Sequence, residues 1–145
     1  MKYLFVALMA ISFTTMAEDG LQQEGGWYFK SKTNKMTDST DVVAINSSKD
    51  TYTKQGSVRN TSLVLRCREN KTDAYISVND YLGSGSPQIT IRFDGGKPVK
   101  SLWKGGEGGD AAFAPNAVSF IKEIASHKNA IIGFEPYGST MQALE

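Results

Sequence analysis

From Ser62 onward, two runs of alternating apolar and polar side chains flank a short polar break, and a repeat of two is the signature of paired strands. In 62–68 (SLVLRCR), Leu63, Leu65 and Cys67 share one face, while Val64, Arg66 and Arg68 share the other. In 73–78 (DAYISV), Ala74, Ile76 and Val78 oppose Tyr75 and Ser77. The break at 69–72 (ENKT) makes the pair a hairpin. One side of it is apolar throughout, so that side packs on a core and Cys67 is buried with it. A third run, 88–94 (QITIRFD), repeats the pattern with Ile89, Ile91 and Phe93 inward and Thr90, Arg92 and Asp94 outward.

The remaining segments fit around these strands. Strands are expected at 27–32 and 42–47, and the polar stretch 48–60 reads as a loop or ragged edge strand turning at Gly56. Turns are expected at 83–87 and at Gly95-Gly96, a strand at 98–104, and a flexible glycine-rich loop at 105–110. One helix is expected over 115–128: Pro115 suits a first helical position, and Val118, Phe120, Ile121, Ile124 and Ala125 recur at helical spacing. A strand at 130–137 follows, and 141–144 reads as the start of another. The expected fold is mainly β: an antiparallel β-sandwich or partly open barrel with one α-helix before the last strand.

The N-terminus carries an export signal. Lys2 precedes an apolar run at 3–12, and Thr15-Met16-Ala17 is a small-x-small cleavage site. The run is too short to span a bilayer. Residues 1–17 are thus expected to be a signal peptide, 18–26 a flexible N-terminal arm, and 27–145 a single β-rich domain. The protein is thus expected to be exported, with no membrane insertion after signal removal.

The whole chain has 16 Lys and Arg against 15 Asp and Glu. That balance argues against nucleic acid or an anionic membrane as the main partner. The bases do gather in 28–71, where nine Lys and Arg face four acids. Cys67 is the only cysteine, so no internal disulfide can form.

Chemistry is sparse. His127, the one histidine, is expected in the last turn of the helix, where it complements the helix dipole. No nucleophile, metal-ligand set, calcium loop or phosphate cradle has suitable spacing, so no catalytic residue, metal or cofactor is expected. The candidate binding set is the outward sheet face: Arg66, Tyr75, Arg92, Asp94 and Trp103. An arginine there could bind a carboxylate beside an aromatic ring, or simply pair with Asp94 across strands.

These residues stand in a characteristic order. Trp27 is followed by 37–41 (TDSTD), the hairpin sequence 63–72 (LVLRCRENKT), Tyr75-Ile76, 91–94 (IRFD), Trp103, a helix, and Pro136-Tyr137-Gly138. In this order the chain resembles the VasI-like (TagO-like) proteins associated with bacterial type VI secretion, over nearly all of 18–145. It departs from that pattern after Trp103, where Lys104-Gly105-Gly106 replaces an early serine. It departs again after Pro136-Tyr137-Gly138, where family members continue into a further strand and often a late cysteine. The resemblance implies a periplasmic accessory role near a cell-envelope secretion machine and gives no molecular activity. With no catalytic set in the sequence, the expected function is non-enzymatic binding of an envelope protein, such as a secretion-apparatus component, through the outward sheet face. An open sheet edge would also permit a homodimer. Two other functions fit the same residues: a periplasmic inhibitor or immunity protein acting through the 83–87 or 105–110 loops, and a peptidoglycan or glycan-binding module using Trp27 and the basic half.

Overall fold

The computed structural model describes residues 21–145. The expected signal peptide, and the arm before Leu21, lie outside the described residues. The fold is mainly β, with antiparallel sheets, one short helix before the last strands, and no closed barrel.

The larger sheet contains β1 (Leu21–Glu24), β2 (Trp27–Thr33), β3 (Thr40–Ser47), β6 (Ser62–Arg68), β7 (Lys71–Ser77), β11 (Ala111–Phe113) and β10 (Lys104–Gly105), in that spatial order. The second sheet runs β13 (Gln142–Leu144), β12 (Ala130–Phe134), β8 (Gln88–Phe93) and β9 (Val99–Leu102). A separate ribbon pairs β4 (Tyr52–Lys54) with β5 (Ser57–Arg59). The helix α1 (Ala117–Ser126) lies between β11 and β12 in the chain.

The two sheets and the helix share one core. Ile76, Val78 and Ala112 from the larger sheet side meet Ile89, Ile91, Ile132 and Phe134 from the second, with Phe120 of α1 and Trp103 between them. Phe120 meets Trp103 edge to face at 5.1 Å, and Tyr52 brings the small ribbon against Phe134 at 5.8 Å.

Several expectations are corrected by local geometry. Leu21–Glu24 is no free arm but an edge strand, joined to β2 through Gly25-Gly26, both at positive φ. The central hairpin turns on two residues, Glu69 and Asn70, at φ 49° and 61°. Both central residues left-handed is the pairing whose twist matches a hairpin. The expected four-residue loop is therefore shorter, and β7 begins at Lys71. The stretch 48–60 holds a real hairpin, β4–β5, turning on Gln55-Gly56.

The helix starts two residues later than expected, because Asn116 caps it by accepting the Ser119 amide at 3.0 Å. Pro115 precedes that cap. Nor is the 105–110 loop loose. Leu82 donates to the Gly109 carbonyl (2.7 Å), Val78 to Asp110 (2.9 Å) and Gly106 to Ala111 (2.8 Å). Gly105 lies so close to the Gly85 carbonyl, and Gly109 to the Tyr81 ring, that a Cβ at either would collide.

Cys67 is exposed rather than buried. It does share the core-side face with Leu63 and Leu65, but its cross-strand row is Val42–Cys67–Thr72. Val42 in the same row is 40% exposed, so the covering layer ends before this row.

Candidate functional site

Three groups of functional side chains are assembled by the fold, and they divide the five expected contact residues among different places.

The first is the outer face of the larger sheet. The strand registers align Tyr28, Ile45, Val64, Tyr75 and Phe113 in one line across β2, β3, β6, β7 and β11. The adjacent line carries Lys30, Val43, Arg66 and Asp73. Tyr28 and Ile45 are 40% and 37% exposed. Tyr75 and Phe113 are half-buried and stack at 4.7 Å. Val64, expected among outward polar residues, is buried in the middle of the line between Ile45 and Tyr75.

Arg66 sits 5.6 Å from the Tyr75 ring centroid and donates to Asp73 Oδ2 through Nη2 (2.7 Å) and Nε (3.3 Å). That bond is the main reason its affinity for the proton rises above the ordinary arginine range. Arg66 therefore pairs with Asp73 in its own hairpin and not with Asp94. Pairing fixes the guanidinium plane and leaves one edge of the Arg66–Tyr75–Phe113 cluster open, since Arg66 and Asp73 side chains are 32% and 35% exposed.

The second group surrounds Asp94. Its carboxylate accepts the backbone amides of Asn129 (2.8 Å) and Lys128 (3.0 Å) and meets His127 Nδ1 at 2.9 Å. The Asn129 amide, then the His127 contact, hold the Asp94 carboxyl below its ordinary range. His127 is the residue that ends the helix, one past its last turn, and its ring stacks on Phe93 at 4.5 Å. Arg92 takes no part. It donates to the Gly95 and Gly96 carbonyls, each at 2.8 Å, closing its own turn. Trp103 is elsewhere again. It is 2% exposed where the chain crosses from β9 to β10, with its indole N–H donating to Ser101 Oγ at 2.9 Å. The expected set is thus not one surface: Arg66 and Tyr75 stand together, Arg92 and Asp94 lie on the second sheet, and Trp103 is core.

The third group was not visible in the sequence pattern. Asp80, with a side chain 7% exposed, accepts Lys54 Nζ (3.2 Å), the Tyr52 hydroxyl (3.2 Å) and the Tyr81 amide (2.8 Å), with Arg59 Nε at 3.8 Å. Burial pushes this carboxyl up. The Tyr81 amide, Lys54 and Tyr52 outweigh burial and hold it below the ordinary range. Burial first, then the Asp80 charge, push the Tyr52 phenol up to about 12. Arg59 also donates to the Asn79 carbonyl, so both strands of the β4–β5 ribbon are tied to the segment after β7. The network is a structural clamp. Its members come from 52–59 and 79–81, and only their charges, scattered in apparent loop, could have hinted at it.

Among the described residues no group of three or more His, Cys, Asp or Glu is placed to hold a metal, and no helix is long and apolar enough to cross a membrane. The chain matches no protein-family model, no curated protein and no solved structure.

Proposed function

We propose that this is an exported accessory protein of the bacterial cell envelope, of the VasI-like kind associated with type VI secretion. It acts in the periplasm by binding a protein partner, without catalysis of its own. The observation that supports this reading is the aromatic line on the outer face of the larger sheet. Tyr28, Ile45, Tyr75 and Phe113 lie in register beside Arg66, and none is capped by charge from its own line. Contiguous apolar surface rimmed by polar groups marks interaction sites, and Tyr and Arg dominate the energetics of such interfaces. The signal-like N-terminus and the ordered resemblance described above support the compartment and the association with secretion.

In this role Tyr75 and Phe113 supply a rigid apolar platform, and Arg66, oriented by Asp73, offers its remaining N–H groups to a partner carboxylate or carbonyl. Arg92, Asp94 and Trp103 are not part of the contact set in this reading.

The test is capture from envelope extract by wild-type protein and by Arg66→Ala/Tyr75→Ala, read by mass spectrometry. Secretion-apparatus components held by the wild type and lost in the double variant are the expected result. Retention of the same partners by the variant would rule out this face. Recovery of an envelope hydrolase by both forms would move the function to the 83–87 and 105–110 loops, as an inhibitor.

A further inference from the structure

A cleft of about 260 Å³ opens between the two sheets, away from the aromatic line, and its lining is of mixed character. The floor is apolar, with Leu63, Phe93, Ile132 and Leu144. Trp27 stands at one wall, on the core-side face of β2, stacked at 6.5 Å on Phe29. The polar lining is rich in groups whose hydrogen-bonding capacity is unspent.

Thr61 is 4% exposed, and its hydroxyl has no partner among the described residues. An orphaned buried hydroxyl is costly unless something meets it. Asn46 and Asn129 line the same cleft, and the side-chain amide of neither forms a hydrogen bond among the described residues. Asn129 uses only its backbone, donating to and accepting from Asp94. His127 spends Nδ1 on Asp94 and is locked by its stack on Phe93, which leaves Nε2 for a ligand.

Charge narrows the ligand. Lys49 is paired with Glu145 at 3.0 Å, so of the two lining lysines only Lys128 is uncommitted. Strong anion recognition uses several charge-assisted bonds or a bidentate arginine, and the cleft has neither. What it offers is amides, a hydroxyl and an imidazole beside an indole face. Hydroxyl groups both donate and accept, so a polyol matches such a set without being charged. The apolar face of a sugar ring suits the indole and the aliphatic floor. The volume falls just under the roughly 300–1,000 Å³ of drug-sized sites, which fits a short ligand.

We propose that this cleft is a saccharide-binding site for one or two neutral pyranose rings, with Trp27 as stacking wall and Asn46, Thr61, His127 and Asn129 as hydrogen-bonding groups. It is a site separate from the protein-binding face and goes beyond that reading. Occupancy would let the protein rest on an envelope glycan while the outer face engages its partner.

The test is isothermal titration calorimetry with glucose, N-acetylglucosamine, maltose and N,N′-diacetylchitobiose, and with octanoate as an amphiphilic anion. At least one saccharide is expected to saturate with a Kd of about 1 mM or tighter. Trp27→Ala and Asn129→Ala should each weaken it about tenfold, and Arg66→Ala should leave it unchanged. The Asn129 side chain bonds nothing in the fold, so that variant tests the site without threatening folding. No saturation by any of the four sugars up to about 20 mM overturns the proposal. So does binding indifferent to both cleft variants, or octanoate displacing the sugar.

Discussion

Asp80 and Asp94 are the same residue in two regions built on opposite principles. Asp80 is buried and held by side chains that carry charge, Lys54 and Arg59, with Tyr52 added. Asp94 is exposed and held by two backbone amides and an imidazole at the end of the helix. Both carboxyls are held below their ordinary range, yet the cause differs: at Asp80 burial opposes ionisation and is outweighed, while at Asp94 the Asn129 amide leads and burial is minor. A buried carboxylate leaves cations stranded when removed, and an exposed one leaves amides that water can reach. The first region should therefore govern global stability, and the second the local geometry of His127 and the cleft.

The largest effect that could break this contrast is Asp80→Ala. It leaves Lys54 and Arg59 without their counter-charge in a buried setting, and should cost about 3–5 kcal/mol by denaturant unfolding. The wild type should also lose stability on acidification as pH falls below the ordinary carboxyl value of about 3.9 and through the lower native one. A loss under about 1 kcal/mol would show that the ribbon is not clamped by this acid.

The alkaline limb sharpens the same point. With Tyr52 raised to about 12 against an ordinary value of 10.0, the native state keeps a proton that the unfolded chain gives up. Stability is full below about pH 10 and falls as pH rises toward 12, by about 2–3 kcal/mol for this group. In Tyr52→Phe the pH 10–12 slope should shrink. An unchanged slope would assign it to other groups.

Asp94→Asn comes next. It should lower the acid sensitivity of His127 placement without global unfolding, read as local NMR shifts at His127, Lys128 and Asn129. Global unfolding of that variant at neutral pH would erase the distinction between the two acids.

The smallest effects belong to the arginines. Arg66→Ala removes a half-exposed pair and should cost about 0.2–1 kcal/mol in stability; under the proposed function it should also abolish partner capture. Arg92→Ala frees only two turn carbonyls, so a loss of about 1 kcal/mol or less is expected. A loss of several kcal/mol at Arg92 would mean that its turn supports the second sheet.

How far the sequence could be read follows from the range of the interactions. The hairpin at β6–β7, the inward set Ile89, Ile91 and Phe93, and the helix before the last strands were legible, because alternation and helical spacing are local. That Arg66 and Tyr75 share a face was legible for the same reason: they sit on neighbouring strands of one hairpin. Asp94 drew attention as an outward acid in a clean strand, but its partners did not, since His127, Lys128 and Asn129 lie more than thirty positions away. Asp80 was missed because its strand had ended, and its cations sat in a stretch that looked like polar loop.

By itself, then, the sequence determined the class of fold, the strands of its centre and the faces those strands present, through side-chain period and turn chemistry. Only the tertiary structure decided what covers each face. Cys67 shares a face with Leu63 and Leu65 and is exposed, because the layer above that face stops short of its row. Trp103 is core, because the chain changes sheets at that residue and draws its indole between them. Periodicity tells which side of a strand a residue occupies. Burial depends on where another layer begins and ends, and that is set by contacts distant in the chain.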